Sequence, residues 1–398
     1  MSRVPLAIKT IGRVLYFKKT KDEWTYIKDN ELTNVAQGEN DNGILPILKL
    51  SYDYLPSHLK CCFTYCSLFL KDYEISKLTL IQLWIAQGFI QSSDEKLKLE
   101  DVANEYCMDL LWRSLFQEAG EDHLRNISFK IHDLIHDLAK SVSRTECTLV
   151  NSDAKNINEK VRHLSFPFSN VSFFEKNLSL LVKAKKIRMF ILTSNHQFFN
   201  KKGEEESTLK RLIFSFRCMR VLDLHGLKIV TMLNCIEKLT YLKYLDLSKN
   251  DIDVLPKSII RLLNLQTLKL SGCQKLKELP KDFQKLVNLK HLDIYGCDNL
   301  THMPCRFGQL TSLQILSLFV LSKNPAASSS KHCGGLAELN KLNNVKGELH
   351  VKNLAGVKDA TLDAKFANLK DKQHLRYLKL SWNGRLMMAW MYVMLEIC

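Results

Sequence analysis

The chain has 398 residues, of which 46% are hydrophobic, so it can bury a sizeable core in two or three units, and global disorder is excluded. Its 57 Lys and Arg outnumber 42 Asp and Glu, giving a formal charge of +15 that raises nucleic acid or an acidic surface as a partner. The basic residues are spread along the whole chain without an arginine-rich block interleaved with aromatics, so a solvated basic surface is the preferred reading.

From the start, residues 1–19 carry Arg3, Lys9 and Arg13 and lack the continuous apolar core of a secretory signal, which predicts a cytoplasmic protein. Its 12 cysteines are then expected to be thiols, and no paired CxxC or CxxC…HxxxH spacing offers a zinc site, so no metal is expected. Cys61, Cys62 and Cys66, near His58, fall in an apolar helical run and read as core residues. Ser76 can cap a helix carrying Leu80, Leu83 and Trp84, which Gly88 ends in its left-handed conformation. Val102, Tyr106 and Leu110, with Leu111 and Leu115, recur at helical spacing. Ile127, Phe129 and Ile131 alternate like a strand before a helix begun by His132 and Asp133. The first 150 residues are thus expected to be mostly helical.

Beyond them an internal period takes over. VRHLSF (161–166) and KIRMFIL (186–192) resemble degenerate first strands that cap an array. The cores Leu222-Asp-Leu224, Leu245-Asp-Leu247, Leu268-Lys-Leu270, Leu292-Asp-Ile294 and Leu316-Ser-Leu318 follow at steps of 23, 23, 24 and 24 residues, a leucine-rich-repeat period. Strand side chains alternate, so the apolar pair of each core faces the interior while Asp223, Asp246, Lys269, Asp293 and Ser317 point outward from a concave sheet as the candidate partner-binding surface. Asn250, Cys273 and Cys297, three residues past each core, stand where these repeats satisfy buried backbone groups, a structural role rather than a redox one.

Leu255-Pro256, Leu279-Pro280 and Met303-Pro304 predict extended or turn backbone on the convex side, each followed three residues later by Ile259, Phe283 or Phe307. A Ser-rich stretch, Asn324 to Gly335, reads as a loop insertion before Leu349-His-Val351 and Leu378-Lys-Leu380 restore the pattern. No apolar run reaches the roughly 20 residues of a membrane span. The tail from Leu386 to Cys398 is broken by Glu396 and reads either as an incomplete end or as a makeshift cap.

The run CCFTYCSLFLKDYEI (61–75) with LWIAQGFI (83–90) resembles the ARC region of plant NB-ARC leucine-rich-repeat disease-resistance proteins of the coiled-coil class. RVPLA (3–7) is similar to that family's GLPLA motif, with Arg3 and Val4 replacing its first two residues, and Ile131-His132-Asp133 to its MHD motif. The resemblance implies an α+β multidomain chain: a helical ARC remnant (1–69), a winged-helix subdomain (70–155), a repeat cap (156–215) and a repeat solenoid (216–398). It implies an ADP/ATP switch in which His132 meets the β-phosphate of ADP, Asp133 steadies that turn and Pro5 lies at the adenine. His136 and Asp137 are read as a surface pair one helical turn on.

Phosphate binding in that family also needs a glycine-rich P-loop ending in Lys and Ser or Thr, which is absent. Gly38 and Gly43, the nearest spacing, are followed by Ile44 and Leu45. The chain therefore reads as an N-terminally truncated fragment without enzymatic activity that does not hold nucleotide stably. Expected partners are a pathogen effector or guarded host protein on the repeats, and a full-length immune receptor in trans. The alternatives are a basic winged-helix nucleic-acid binder, disfavoured because 72–88 is mostly apolar with few cations, and a general repeat scaffold.

Overall fold

The computed structural model describes residues 4–32, 44–92, 94, 97–121, 126–150, 157–166, 181, 184–193, 204–232, 234–323, 335–356, 367–369, 372–382 and 385–390. They form two compact units, Met1–Val150 with Lys160–Ser165, and Asn151–Glu159 with Phe166–Cys398. Arg3, Gly38, Gly43, residues 324–334 of the Ser-rich stretch and the tail beyond residue 390 lie outside the described residues.

The first unit begins with helices α1 (Val4–Tyr16), α2 (Lys21–Tyr26), α3 (Leu45–Asp53) and α4 (Ser57–Tyr65). Thr20 and Glu23 close a capping box on α2, and a proline sits in the first turn of α3. Cys62 and Cys66 are fully buried, and burial pushes both thiols well above the ordinary range, whereas Cys61 lies on the surface. The core reading of this cluster thus holds for two of its three cysteines.

A winged helix follows: β1 (Ile75–Ser76), α5 (Lys77–Gln87), α6 (Leu99–Trp112), β2 (Gln117–Glu121), β3 (Ile127–Lys130) and α7 (Asp133–Val142). β3 is the middle strand of an antiparallel sheet in the order β1-β3-β2, and its alternation buries Phe129. Gly88 ends α5 at φ 80°, where the amides of Gly88 and Phe89 both donate to the Trp84 carbonyl. Ser76 holds the N-cap position of α5, but its side chain makes no capping bond. From Leu80 to Gln87 every residue of α5 is buried. The short strands β4 (Cys147–Leu149) and β5 (His163–Phe166) pair in parallel.

In the second unit, β6 (Met189–Leu192) is followed by helix α8 (Glu204–Ser215) and then by β7 (Val221–Asp223), β8 (Tyr244–Asp246), β9 (Thr267–Lys269), β10 (His291–Asp293) and β11 (Ile315–Leu316). β6 to β11 pair in parallel in chain order, with Leu222, Leu245, Leu268, Leu292 and Leu316 in register. Those five leucines are fully buried. Each such burial is worth about 1.5–3 kcal/mol. Ile259, Phe283 and Phe307 fill the space behind them from short 3-10 turns that follow the prolines. VRHLSF and KIRMFIL both become strands, the first pairing with β4 and the second with β7.

At each turn a buried side chain reaches back one repeat. Asn250 donates to the carbonyls of Leu224 (2.9 Å) and Leu247 (2.8 Å) and accepts from the Ile229 amide (2.9 Å). The Cys273 thiol meets the Leu247 carbonyl at 3.1 Å, and that of Cys297 the Leu270 carbonyl at 3.2 Å. The expected structural ladder is present, and burial holds the Cys273 and Cys297 thiols up at about 11 and about 12. A second, exposed ladder joins Asn264 to the Thr240 carbonyl and Asn344 to that of Thr311.

The array changes at Ser317. β11 ends at Leu316, and a new sheet starts with β12 (Leu318–Val320), paired in parallel with β13 (Gly347–Lys352), which in turn pairs with β14 (Leu375–Trp382). Leu349 and Val351 lie opposite Leu378 and Leu380, as the restored pattern predicts. β15 (Arg385–Trp390) folds back antiparallel on β14, so the start of the tail is a strand of this sheet. Gly308 sits where an added Cβ would stand 2.4 Å from the Glu338 carbonyl oxygen, while the Glu338 carboxylate accepts from the amides of Arg306 (2.7 Å) and Gly308 (2.8 Å).

Asn250→Ala removes three bonds and strands buried polar groups, so it should lower the unfolding free energy by about 3 kcal/mol, whereas Asn264→Ala, on the exposed ladder, should cost less than about 1 kcal/mol. Equal losses in urea titrations would overturn this account of the ladder. His350, 6% exposed with its Nε2 2.8 Å from Ser381 Oγ, is held down at about 4 by burial first and then by Lys352 and Lys379. A histidine with a depressed pKa gives stability that is full above about pH 6.5 and is withdrawn as pH falls toward its folded value. Thermal melts of wild type should therefore drop between pH 7 and pH 5 by more than those of His350→Gln, and parallel drops would rule this out.

Candidate functional site

Two regions hold the residues singled out from the sequence. In the first unit, His132 is the N-cap of α7 in extended backbone, and its Nδ1 accepts the Leu134 amide at 3.2 Å. That bond leaves Nε2 as the protonated nitrogen, one donor on a half-buried ring. Asp133 is exposed in the first turn, where its carboxylate meets the positive end of the helix dipole. Pro5 is exposed in the first turn of α1, and both α1 and α7 pack on α3.

His136 departs from its reading as half of a surface pair. It is 5% exposed, with Nε2 2.8 Å from the Phe69 carbonyl, while its Nδ1 is buried without a hydrogen-bond partner. The reason is the helical period: His136 shares a face with Ile135 and Ala139 that turns inward, whereas Asp137 faces out and pairs with Lys71 at 2.7 Å. The bond pins α7 to the chain just before β1.

For a nucleotide, this chain supplies one imidazole N–H, a helix N-terminus already carrying a carboxylate, and a proline ring. The amide cradle and the Lys–Ser/Thr pair that engage phosphates are absent from the sequence. Among the described residues no cluster of His, Cys, Asp and Glu could hold a metal ion.

In the second unit, the face of the sheet turned away from the leucines carries the other candidates in one column. They are held tightly. Asp223, Asp246 and Asp293 each accept from the amide two residues on, of His225 (3.0 Å), Ser248 (2.9 Å) and Tyr295 (3.1 Å). Asp246 is only 8% exposed and also accepts from the Tyr244 hydroxyl at 3.2 Å. Burial foremost, with Asp246 nearby, raises the Asp223 carboxyl despite its contact with His225. Lys269 lies over the Tyr244 ring at 5.4 Å, and the Ser317 hydroxyl accepts the Ile294 amide at 2.8 Å. The column lines the face but projects less than alternation alone suggests, because the aspartates fold back onto the amides two residues on and Ser317 bonds the Ile294 amide of the preceding repeat.

A second column went unnoticed in the sequence. Arg220 donates its amide to the Arg188 carbonyl, Lys243 to that of Arg220, Gln266 to that of Lys243, and Lys290 to that of Gln266. These residues therefore hold equivalent places just before successive strands, all half-buried. The signal that finds them is the second position of each LxxLxL, read down the alignment of the repeats rather than along the chain.

A parallel repeat array behind a winged helix defines a class, and the comparisons agree with it. The family model described as the disease resistance protein winged helix domain matches residues 68–139, and that of a leucine-rich repeat region matches residues 199–392. The putative disease resistance protein At3g14460 of Arabidopsis thaliana is 39% identical over 380 residues, covering 95% of this chain and 25% of that protein. The putative disease resistance RPP13-like protein 1 of the same plant is 37% identical over 381 residues, covering 95% of this chain and 34% of its own length. Disease resistance protein RGA2 of Solanum bulbocastanum is 40% identical over 203 residues, covering 50% and 20%. The chain belongs to the family of plant disease-resistance proteins with a winged helix and leucine-rich repeats. It spans about a quarter to a third of the length of the first two relatives.

With one imidazole donor and no amide cradle, the purified chain should release ADP during gel filtration and give no heat on titration, and His132→Ala should behave identically. Retained ADP that is lost with His132→Ala would show that a phosphate site persists without the loop.

Proposed function

We propose that this chain is the sensing and latch part of an intracellular, cytoplasmic plant immune receptor. Its repeats would read a pathogen effector or a guarded host protein, and the winged helix would pass that event to a nucleotide switch. The observation that supports the reading is a similarity that extends over both winged helix and repeats, at 39% identity over 380 residues and 95% of the chain. The mechanism is a shift of population. A partner that binds the repeats more tightly in the open state than in the closed one displaces the equilibrium by that difference in affinity, and by no more.

In this reading the chain works by binding rather than as an enzyme. Pro5, His132 and Asp133 would belong to the switch only beside a P-loop, whether in a longer chain or in a full-length receptor engaged in trans. The nucleic-acid alternative finds no support in the winged helix, because α5 is buried on every side from Leu80 to Gln87 and exposes no cationic face there.

The test is an exchange of repeats. A full-length receptor of this family would carry residues 199–392 of this chain in place of its own repeats and be expressed in leaves with a panel of pathogen effectors. Cell death should then follow effectors that the host receptor ignores. If the response keeps the specificity of the receptor's own remaining parts, the repeats are a scaffold and the sensing role fails.

A further inference from the structure

The chain of amides that links Arg188, Arg220, Lys243, Gln266 and Lys290 sets four cations just before five successive strands, at one edge of the sheet. Parallel strands stand about 4.8 Å apart, so Arg188, Arg220 and Lys243 follow at that step and Lys290 one strand further, over about 19 Å in all. Like charges opposite one another on neighbouring strands cost stability. The cost is visible here. Burial first and then Arg188 depress the Arg220 guanidinium, and burial with Arg220 and Lys290 depresses the Lys243 ammonium. Three residues beyond each of Arg220, Lys243 and Lys290 stands a carboxylate, Asp223, Asp246 or Asp293. The face is therefore striped, positive at the start of the strands and net negative along their middle, where Lys269 interrupts the three aspartates.

We propose that this cationic column binds an acidic ridge of an α-helix on a partner protein, laid across the strands. An α-helix repeats a side-chain position about every 5.4 Å through its i, i+3 and i+4 neighbours, close to the strand spacing, so carboxylates one per turn meet cations one per strand. Gln266 faces the one turn left without a cation. The aspartate stripe argues against a nucleic acid, whose charge is negative all round and would lie against those carboxylates as well. A helix turns a different face to them. The proposal gives the chemistry of the partner read by the sensing surface and rests on that reading.

The probe is a synthetic alanine-based helical peptide with one Glu per turn over four turns, compared with its Gln counterpart by fluorescence anisotropy on the full chain. The Glu peptide should bind, weaken with added salt, and lose at least about tenfold in affinity with the double variant Arg220→Gln and Lys243→Gln. The Gln peptide should not bind. Because each substitution removes a repelled charge, the double variant should melt no lower than wild type, so loss of binding is not loss of fold. Absence of Glu-peptide binding, or binding indifferent to the double variant, would overturn the proposal. Equal competition by a single-stranded oligonucleotide would overturn it too, by showing a general polyanion site. Should the repeat exchange transfer effector specificity while the peptide fails, the sensing reading stands and the acidic-helix chemistry falls.

Discussion

The second unit depends on what happens to a handful of backbone carbonyls. Each repeat must turn back so that its strand can join the same sheet, and every return leaves polar backbone inside a wall of leucines. An unpaired buried carbonyl costs as much as a lost hydrogen bond, so the fold closes only if a donor arrives. Asn250 supplies two donated bonds and one accepted bond, and Cys273 and Cys297 supply a thiol each to the carbonyls of Leu247 and Leu270. Asn353 does the same for Leu321 beyond the insertion, at 2.9 Å. Thiols are weaker donors than amides but are small and apolar enough to pack among leucines.

Once that register is fixed, everything on the sheet face becomes a column. A position repeated in sequence is repeated about every 4.8 Å in space, so a mild preference within one repeat becomes a stripe over five. The aspartates are largely absorbed into the sheet itself by bonds to the amides two residues on, whereas Arg188, Arg220, Lys243 and Lys290 stand at the edge where strands begin. Ser317 shows how little it takes to end a register. Its hydroxyl takes the Ile294 amide, and the strand on its far side pairs with a new partner, Leu318 lying opposite His350.

The first unit follows a different rule, in which helices are positioned by single polar anchors in an apolar core. His132 caps α7 from one end, and His136, a turn on, fastens its inner face to the Phe69 carbonyl. The same two-residue unit, His followed by Asp, thus occurs at the N-cap and again one turn on, the first histidine half-buried and the second buried, since the helical period turns His136 inward with Ile135 and Ala139.

Much of this was legible in the sequence, because repeats and helices are local patterns repeated often enough to be read. The LxL period gave the strands and their register, Asn250, Cys273 and Cys297 gave the turns, and Gly88 and Phe129 gave elements of the winged helix. What stayed hidden was decided by neighbours distant in the chain. That Asp246 is buried, that Ser317 divides two sheets, that His136 faces inward and that Arg220 and Lys243 crowd each other follow from the lateral spacing of strands and the packing of helices. No pattern along one segment records a distance to another segment, and for that reason only the tertiary structure could settle them.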